Sequence, residues 1–279
     1  MTPTVTPLAP KIGAEVSGID LTQPLDRDTA DLLNRAFIDH AVLVVRGQSL
    51  QPQEFLAVAK QFGAPVRQHL EQFNIPDCPD VSTISNQEKT KTGKINVRGV
   101  SWHTDHSFTP EPPKATMLYS VALPDTGGNT HWAHMGAAYD ALSPELRARV
   151  DGLSAVHAYT DSRVPPDLAE RKREEAENVA DGVAHPLART HPESGRKGIY
   201  LNPLRVRRFL GMAPEDCSGL IGDLVAHATQ PEFTYTHRWQ LGDMVIWDNR
   251  CCMHKADTDY DFNQRRLMYR IILSGDKPF

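Results

Sequence analysis

The sequence has few of the features that direct a protein to a membrane, to nucleic acid or to an oxidising compartment. No apolar run approaches the roughly 20 residues that a membrane-spanning helix needs, and the opening MTPTVTPLAP lacks the basic start and apolar core of a secretory signal. Acidic residues outnumber basic ones by 35 to 30, for a formal net charge of −5, so no excess of positive charge favours nucleic acid or anionic lipid. The four cysteines form no Cys-x-x-Cys pair. We therefore expect a cytoplasmic protein with no membrane and no nucleic-acid partner.

The 279 residues, of which 40% are hydrophobic and 23% charged, are typical of an ordinary globular chain long enough to bury a sizeable core. Short strand-like runs such as AVLVVRG, ATMLYSVAL and GDMVIWD are separated by turn signals and mixed with several amphipathic helices. The strict strand–helix alternation of a parallel sheet is missing. The pattern favours a mainly β protein with an antiparallel double sheet and flanking helices, in a single domain over residues 1–279.

Two polar segments, residues 67–100 and 160–185, interrupt this pattern. The first is rich in lysine near residues 88–98, and the second carries a double proline followed by a dense run of charges. A charge run of this kind is typical of a solvated helix face, but long loops inserted into compact domains are often mobile lids over a site. Both interpretations stay open for these segments.

The stretch SWHTDHSF places His103 and Asp105 two residues apart. On an extended segment residues i and i+2 point to the same side, so the pair can share one metal ion; on a helix the two side chains would diverge. A solvated loop is the alternative. Near the C-terminus, GDMVIWDNRCCMH is a strand that leads to His254, which is a candidate third ligand.

A second C-terminal strand begins near Arg265 in QRRLMYRIIL. On this strand Arg266, Met268 and Arg270 share one face, and the two arginines stand about 13 Å apart by strand rise. If the other face packs into apolar core, these arginines line a polar interior or stand in water.

The motifs WHTDHSF, GGNTHWAHM, WDNRCCMH and QRRLMYR, in this order and at these separations, resemble the taurine / 2,4-dichlorophenoxyacetate dioxygenase (TauD/TfdA) family. The similarity runs nearly from end to end, because the opening PLAPKIGAEVSGIDLTQPL and the closing GDKPF also fit the family. His-x-Asp alone is weak evidence. His-x-Asp followed about 150 residues later by His and then by Arg at His+12, with GGxT between them, is specific for this class. The resemblance implies a double-stranded β-helix (jelly-roll) core.

The resemblance assigns His103, Asp105 and His254 to Fe(II). Such a 2-His-1-carboxylate set leaves coordination positions open, which 2-oxoglutarate and O2 can occupy. Arg266 corresponds to the arginine that grips the far carboxylate of 2-oxoglutarate, for which a planar bidentate donor is well suited. Thr130 of the GGNT motif corresponds to the threonine that helps at this carboxylate.

The substrate pocket departs from the taurine enzyme. Arg270 corresponds to the arginine that faces the sulfonate there, but Gln68 and Glu71 stand where a histidine and a tyrosine are expected. Arg163 and Arg205 fall where aromatic residues are expected. We therefore expect Arg270, Arg163 and Arg205 to bind a small organic anion other than taurine, such as a sulfonate, a sulfate ester, a phenoxyalkanoate or a similar carboxylate.

The predicted reaction is hydroxylation of a substrate C–H, in which 2-oxoglutarate and O2 are converted to succinate and CO2. Two alternatives remain from the residues alone. The first is a Lewis-acid metal hydrolase that uses the same three ligands with a bound water, and the second is a jelly-roll binding protein without turnover. The resemblance also implies a homo-oligomer, either a dimer or a tetramer.

Overall fold

The computed structural model describes residues 2–67, 71–88, 99–159 and 182–279. The helices of this part of the chain are α1 (Arg27–His40), α2 (Pro52–Ala59), α3 (Met135–Asp140), α4 (Pro144–Asp151) and α5 (Pro214–Ala228), with short 3-10 turns at Glu71–Phe73 and Pro231–Phe233. Most of the two polar segments, namely residues 68–70, 89–98 and 160–181, lies outside the described residues.

Strands dominate the fold. In chain order they are β1 (Thr4–Pro7), β2 (Ala14–Ser17), β3 (Val42–Val45), β4 (Pro65–Val66), β5 (Asn74–Ile75), β6 (Cys78–Ser85), β7 (Ala115–Ala122), β8 (Thr130–His134), β9 (Ser154–His157), β10 (Val183–Pro186), β11 (Ala188–Thr190), β12 (Lys197–Ile199), β13 (Val206–Phe209), β14 (Thr234–His237), β15 (Met244–Asp248), β16 (Cys252–Ala256) and β17 (Leu267–Leu273). The large sheet has the order β1-β2-β3-β15-β7-β17-β6-β5, with β4 also paired to β17. The second sheet that matters for function has the order β14-β8-β16.

The core consists of three apolar clusters arranged in layers. The first packs α1 and α2 against the large sheet, through residues such as Phe37, Phe55 and Ile246. The second packs helices α3, α4 and α5 around Ala133 and Met253 of the β14-β8-β16 sheet. The third contains side chains from both sheets. Because side chains alternate along a strand, the residues between the sheets form one inward-facing set; it includes Val44, Leu118, Trp132, Val245, Trp247 and Met268.

Local sequence signals explain where the first helix begins and ends. The Asp26 carboxylate accepts a hydrogen bond from the Thr29 amide at 2.7 Å, which satisfies one of the amides that a helix leaves unpaired at its start. At the other end Ala41 adopts φ +62°, and the chain turns directly into β3. This helix thus brings the buried strand VLVV into the centre of the large sheet, beside β15.

The predicted mainly β fold with two strand layers and helices outside, the double-stranded β-helix, is confirmed. One detail differs from the antiparallel prediction, because β2 pairs with β3 in parallel and the large sheet is therefore mixed. Within the described residues, none of the helices has the length and apolar character that crossing a bilayer requires.

Candidate metal centre and carboxylate pocket

Three predicted side chains, His103, Asp105 and His254, converge between the two sheets. His254 lies on β16, and His103 pairs with it as an isolated antiparallel bridge through backbone hydrogen bonds of 3.0 and 2.7 Å. The bridge keeps the segment around His103 extended. Thr104 is turned to the opposite side, where its hydroxyl donates to the Asn249 carbonyl oxygen at 2.9 Å.

The geometry of the three groups suits a shared cation. The distance from His103 Nε2 to Asp105 Oδ1 is 4.0 Å, and that from His254 Nε2 to Asp105 Oδ2 is 3.9 Å. One donor atom from each residue lies within 4.8 Å of the others. Asp105 and His254 are each only 7% exposed. Two imidazoles and one carboxylate are the donor set of non-haem Fe(II) oxygenases, so the residues fit Fe(II).

Both histidines are oriented by their neighbours. The backbone carbonyl oxygen of Ser101 accepts a hydrogen bond from His103 Nδ1 at 2.8 Å, which leaves Nε2 as the ring nitrogen that faces Asp105. Burial, with the nearby His103, lowers the pKa of His254 to about 3. The His254 ring packs on Trp247, with ring centroids 4.7 Å apart. Neutral imidazole is the form that binds a metal.

Asp105 is held as an anion by its neighbours. Burial alone would raise the pKa of this carboxyl, but the Arg270 guanidinium and the neighbouring imidazoles together outweigh that effect and hold the pKa well below its usual range. Arg270 Nη2 lies 3.5 Å from Asp105 Oδ1, and the Thr116 hydroxyl donates to Oδ2 at 2.6 Å. A carboxylate that stays ionised at any physiological pH is available as a metal ligand.

Arg266, immediately before β17, is a buried cation without a carboxylate partner among the described residues. It is 8% exposed, and Nη2 donates to the Gly128 carbonyl oxygen at 3.3 Å. Its Nε, also buried, has no hydrogen-bond partner in the described part of the chain. Burial accordingly lowers the pKa of Arg266. An unpaired buried guanidinium is costly unless an anion binds to it, so this site fits a carboxylate ligand.

The GGNT motif shapes the wall beside Arg266. Gly128 has φ +68°, and a Cβ at this position would lie 3.1 Å from Arg266 Nε. Two residues on, the buried Thr130 accepts a hydrogen bond from Trp239 Nε1 at 2.9 Å. The Thr130 hydroxyl therefore keeps its hydrogen for a second partner, because an indole only donates.

The position of Arg266 is fixed through its backbone. The Asn86 side-chain oxygen accepts from the Arg266 amide at 2.9 Å, and the Asn86 amide donates to the Arg266 carbonyl at 3.2 Å. Asn86 and Trp239 were not predicted from the sequence, since an asparagine at a strand end and an isolated tryptophan have no distinctive spacing.

The remaining predicted substrate residues are placed only in part. Arg205 lies over the rings of Tyr159 and Phe108, with its guanidinium carbon 4.4 and 5.7 Å from the two ring centroids. Phe108, one of the two rings in this stack, lies three residues after Asp105 in the sequence. Arg163 and Gln68 lie outside the described residues, and the Glu71 side chain is not described either.

A second cluster of potential ligands, His191, Asp248 and Cys251, has a structural role. Arg250 donates to both oxygens of Asp248, at 2.9 and 2.6 Å, and His191 Nε2 contacts the same carboxylate at 3.0 Å. Amides of Glu193 and Ser194 donate to His191 Nδ1. The ligand atoms are thus engaged within the protein.

Comparisons with known proteins agree with this geometry. The family model described as "Taurine catabolism dioxygenase TauD, TfdA family" matches residues 4–272. The chain belongs to this family. It is 34% identical to the alpha-ketoglutarate-dependent 2,4-dichlorophenoxyacetate dioxygenase of Cupriavidus pinatubonensis, over 99% of both chains. It is 36% identical to the alpha-ketoglutarate-dependent sulfate ester dioxygenase of Pseudomonas putida, over 98% of this chain and 90% of that protein.

Solved structures give the same result for the fold. A taurine dioxygenase from Burkholderia xenovorans superposes with a TM-score of 0.85 at 36% identity, covering 100% of this chain and 91% of that one. The protein AAD-2, solved in complex with Mn(II) and N-oxalylglycine, gives a TM-score of 0.82 at 34% identity, with coverage of 100% and 99%. As a TauD/TfdA family member, the protein is an Fe(II)- and 2-oxoglutarate-dependent dioxygenase, as the sequence predicted.

Proposed function

We propose that this dioxygenase hydroxylates a C–H of a small organic anion that Arg270 holds beside the iron. In this assignment His103, Asp105 and His254 are the Fe(II) ligands, and Arg266 with Thr130 binds the far carboxylate of 2-oxoglutarate. The main support for this proposal is electrostatic: together with Fe(II), these residues give the buried site an excess of positive charge.

The charges can be counted one by one. Asp105 contributes −1, while Arg266, Arg270 and Fe(II) contribute +1, +1 and +2; a histidine that ligates a metal is neutral, so His103 and His254 add no charge. The dianion of 2-oxoglutarate lowers the sum of +3 to +1. A buried uncompensated charge is expensive. A monoanionic substrate would bring the site to neutrality, whereas a cationic substrate would add to the excess.

Bound Fe(II), together with O2 and 2-oxoglutarate, would supply the oxidation that converts the C–H to an alcohol with release of succinate and CO2. The chain's own residues bind and orient the reactants. The guanidinium of Arg266 offers a planar fork for one carboxylate of the cosubstrate. Arg270, four residues along the same inward face, is left for a different anion.

The outer part of the substrate site differs from that expected for taurine. We assign Arg205, stacked on Phe108 and Tyr159, to the wall that faces the distal end of the substrate. Arg163, which lies outside the described residues, stays a predicted substrate contact. A guanidinium group at this wall favours polar or anionic substituents, and taurine instead carries an ammonium group. The relatives act on a phenoxyacetate and on sulfate esters according to their names, and substrates of these two types carry a single anionic group.

The oxygenase is favoured over the two alternatives. A Lewis-acid hydrolase would not need Arg266, a buried arginine suited to binding a dicarboxylate. A binding protein without turnover would not need a metal ion with open coordination positions. The relatives from Cupriavidus pinatubonensis and Pseudomonas putida are both dioxygenases by name. The expected homo-oligomer and cytoplasmic location stay predictions, which the molar mass in solution and cell fractionation would test.

A substrate panel tests the proposal. Sulfonates, sulfate esters, phenoxyalkanoates and amino acids are each supplied with Fe(II) and 2-oxoglutarate, and succinate formation and O2 uptake are followed. We expect an organic anion to be preferred over taurine. An uncharged or cationic compound as the best substrate would contradict the proposal.

The role of Arg270 is tested with the best compound from the panel. Arg270→Ala should raise the KM for that compound far more than the KM for 2-oxoglutarate. Fe(II) must be saturating, because Arg270 also contacts the ligand Asp105. Arg208→Ala, which removes an exposed arginine of β13, is the matched control and should change neither constant. A shift confined to 2-oxoglutarate would instead place Arg270 at the cosubstrate.

A further inference from the structure

A chain of three hydrogen bonds runs through the protein interior and ends on Asp105. Trp247 Nε1 lies 3.0 Å from Asn249 Oδ1, Asn249 Nδ2 lies 2.9 Å from Thr116 Oγ1, and Thr116 Oγ1 lies 2.6 Å from Asp105 Oδ2. Trp247, Asn249 and Thr116 are at most 2% exposed. We call these three residues the relay.

The direction of every bond in the relay follows from its first member. An indole N–H can only donate, so the Asn249 atom that faces Trp247 must be its oxygen. The amide nitrogen then faces Thr116 and donates to the hydroxyl oxygen. Because that oxygen is acting as an acceptor, the Thr116 hydroxyl hydrogen is directed to Asp105. Buried hydrogen bonds aligned in this way strengthen one another.

The relay also joins the segments that contain the other two predicted ligands. The Asn249 backbone oxygen accepts from Thr104, the residue between His103 and Asp105, at 2.9 Å. Trp247, at the far end of the relay, packs its ring against His254. Asn249 therefore contacts both the His-x-Asp segment and Trp247, the residue that packs against the other histidine.

We propose that Asn249 and Thr116 are positioning residues that fix the Asp105 carboxylate for metal binding. This inference rests on the assignment of Asp105 as a ligand. Without the Thr116 hydroxyl, the carboxylate can rotate about its Cβ–Cγ bond, and Arg270, at 3.5 Å, contacts only its other oxygen. Metal binding would then have to order the carboxylate. Groups that orient a metal ligand in this way typically contribute about 10- to 100-fold to metal affinity.

The test is the dissociation constant of Mn(II), measured without 2-oxoglutarate or substrate. Thr116→Val keeps the shape and the β-branch of the side chain and removes only the hydroxyl. We expect it to weaken Mn(II) binding by about 10- to 100-fold, and Thr116→Ser, which restores the hydroxyl, to recover most of the loss. Asn249→Asp removes the donor to Thr116 and should weaken Mn(II) binding as well.

Thr229→Val is the matched control, because the Thr229 hydroxyl also donates a hydrogen bond, but to the backbone oxygen of Val225 at 2.8 Å, at the end of a helix. It should leave Mn(II) affinity unchanged. Circular dichroism and thermal unfolding of each variant establish that it is folded.

The outcomes separate the two claims. If Asp105→Ala binds Mn(II) like the wild type, the ligand assignment itself fails. If Asp105→Ala loses Mn(II) but folded Thr116→Val and Asn249→Asp bind it like the wild type, the ligand assignment stands and the positioning role is refuted. An equal loss in Thr116→Ser and Thr116→Val would also refute it, since the hydroxyl would then not be the group that matters.

Discussion

A substitution at Gly128 would perturb the proposed cosubstrate pocket without removing any polar side chain. In Gly128→Ala the added Cβ would lie 3.1 Å from Arg266 Nε and 3.2 Å from a Tyr260 ring carbon, closer than most Cβ contacts. The Arg266 side chain must give way by a few tenths of an ångström. Gly195→Ala is a matched control, because Gly195 has φ +69° and nothing lies within 4 Å of the added Cβ.

The substitution should affect both the folding free energy and the affinity for 2-oxoglutarate. Both alanines sit in the left-handed region, which costs about 1–2 kcal/mol of folding free energy and should be similar in the two variants. Only Gly128→Ala also displaces Arg266. A charge-assisted hydrogen bond contributes about 1.5–3 kcal/mol, and its complete loss would weaken 2-oxoglutarate binding by about 10- to 150-fold. A partial displacement should cost a fraction of this, so we expect a weakening of about 5- to 50-fold.

The assay is an anaerobic titration of the Fe(II)-loaded protein with 2-oxoglutarate, followed by visible absorption. Gly128→Ala should bind 2-oxoglutarate more weakly, and Gly195→Ala should bind it like the wild type. Urea unfolding checks that the two variants lose comparable stability. Equal 2-oxoglutarate affinity in the two variants would show that Arg266 does not hold the cosubstrate, or that its position does not matter.

Three further predictions concern the same region and the buried histidines. Arg266→Lys should retain only part of the wild-type affinity for 2-oxoglutarate, because an ammonium cannot reproduce a bidentate contact; full affinity in the titration would contradict this. Trp239→Phe removes the donor to Thr130 and should raise the KM for 2-oxoglutarate several-fold, with the KM for the substrate unchanged as the internal control. Burial lowers the pKa of His157 to about 3 and that of His185 to about 4. Unfolding returns both to about 6.5 and takes up protons, so the free energy of unfolding should fall by about 1.6 kcal/mol for each histidine between pH 6.5 and 5. Urea titrations across this range should show a shallower pH dependence in His157→Asn.

The candidate site residues that could be predicted from the sequence are those with a characteristic separation along the chain. His103 and Asp105 are recognisable because residues two apart on an extended chain lie on one side, and the structure shows this segment extended; its backbone pairing with His254 was not predicted. Arg266 and Arg270 were placed on one strand face by simple alternation. The structure places Arg270 against Asp105 of the candidate metal centre and buries Arg266 beside Gly128.

Contacts between distant segments could not be predicted in the same way. Thr116 and Asn249 are separated by 133 residues and meet only because β7 and β15 pair in one register. A threonine in a strand and an asparagine in a turn are common, and nothing in their local sequence marks them. The parallel pairing of β2 with β3 was missed for a similar reason, since the pattern of a short strand does not reveal the direction of its neighbour.

The most direct test of the account is anaerobic addition of Fe(II) and then 2-oxoglutarate to the purified wild-type protein. Chelation of the 2-oxo acid by iron at His103, Asp105 and His254 predicts a visible charge-transfer band that needs both components. The band should be absent in Asp105→Ala and should require more 2-oxoglutarate in Arg266→Ala. A wild-type protein that binds Fe(II) but develops no band, or an Asp105→Ala variant that retains it at wild-type concentrations, would contradict the proposed site.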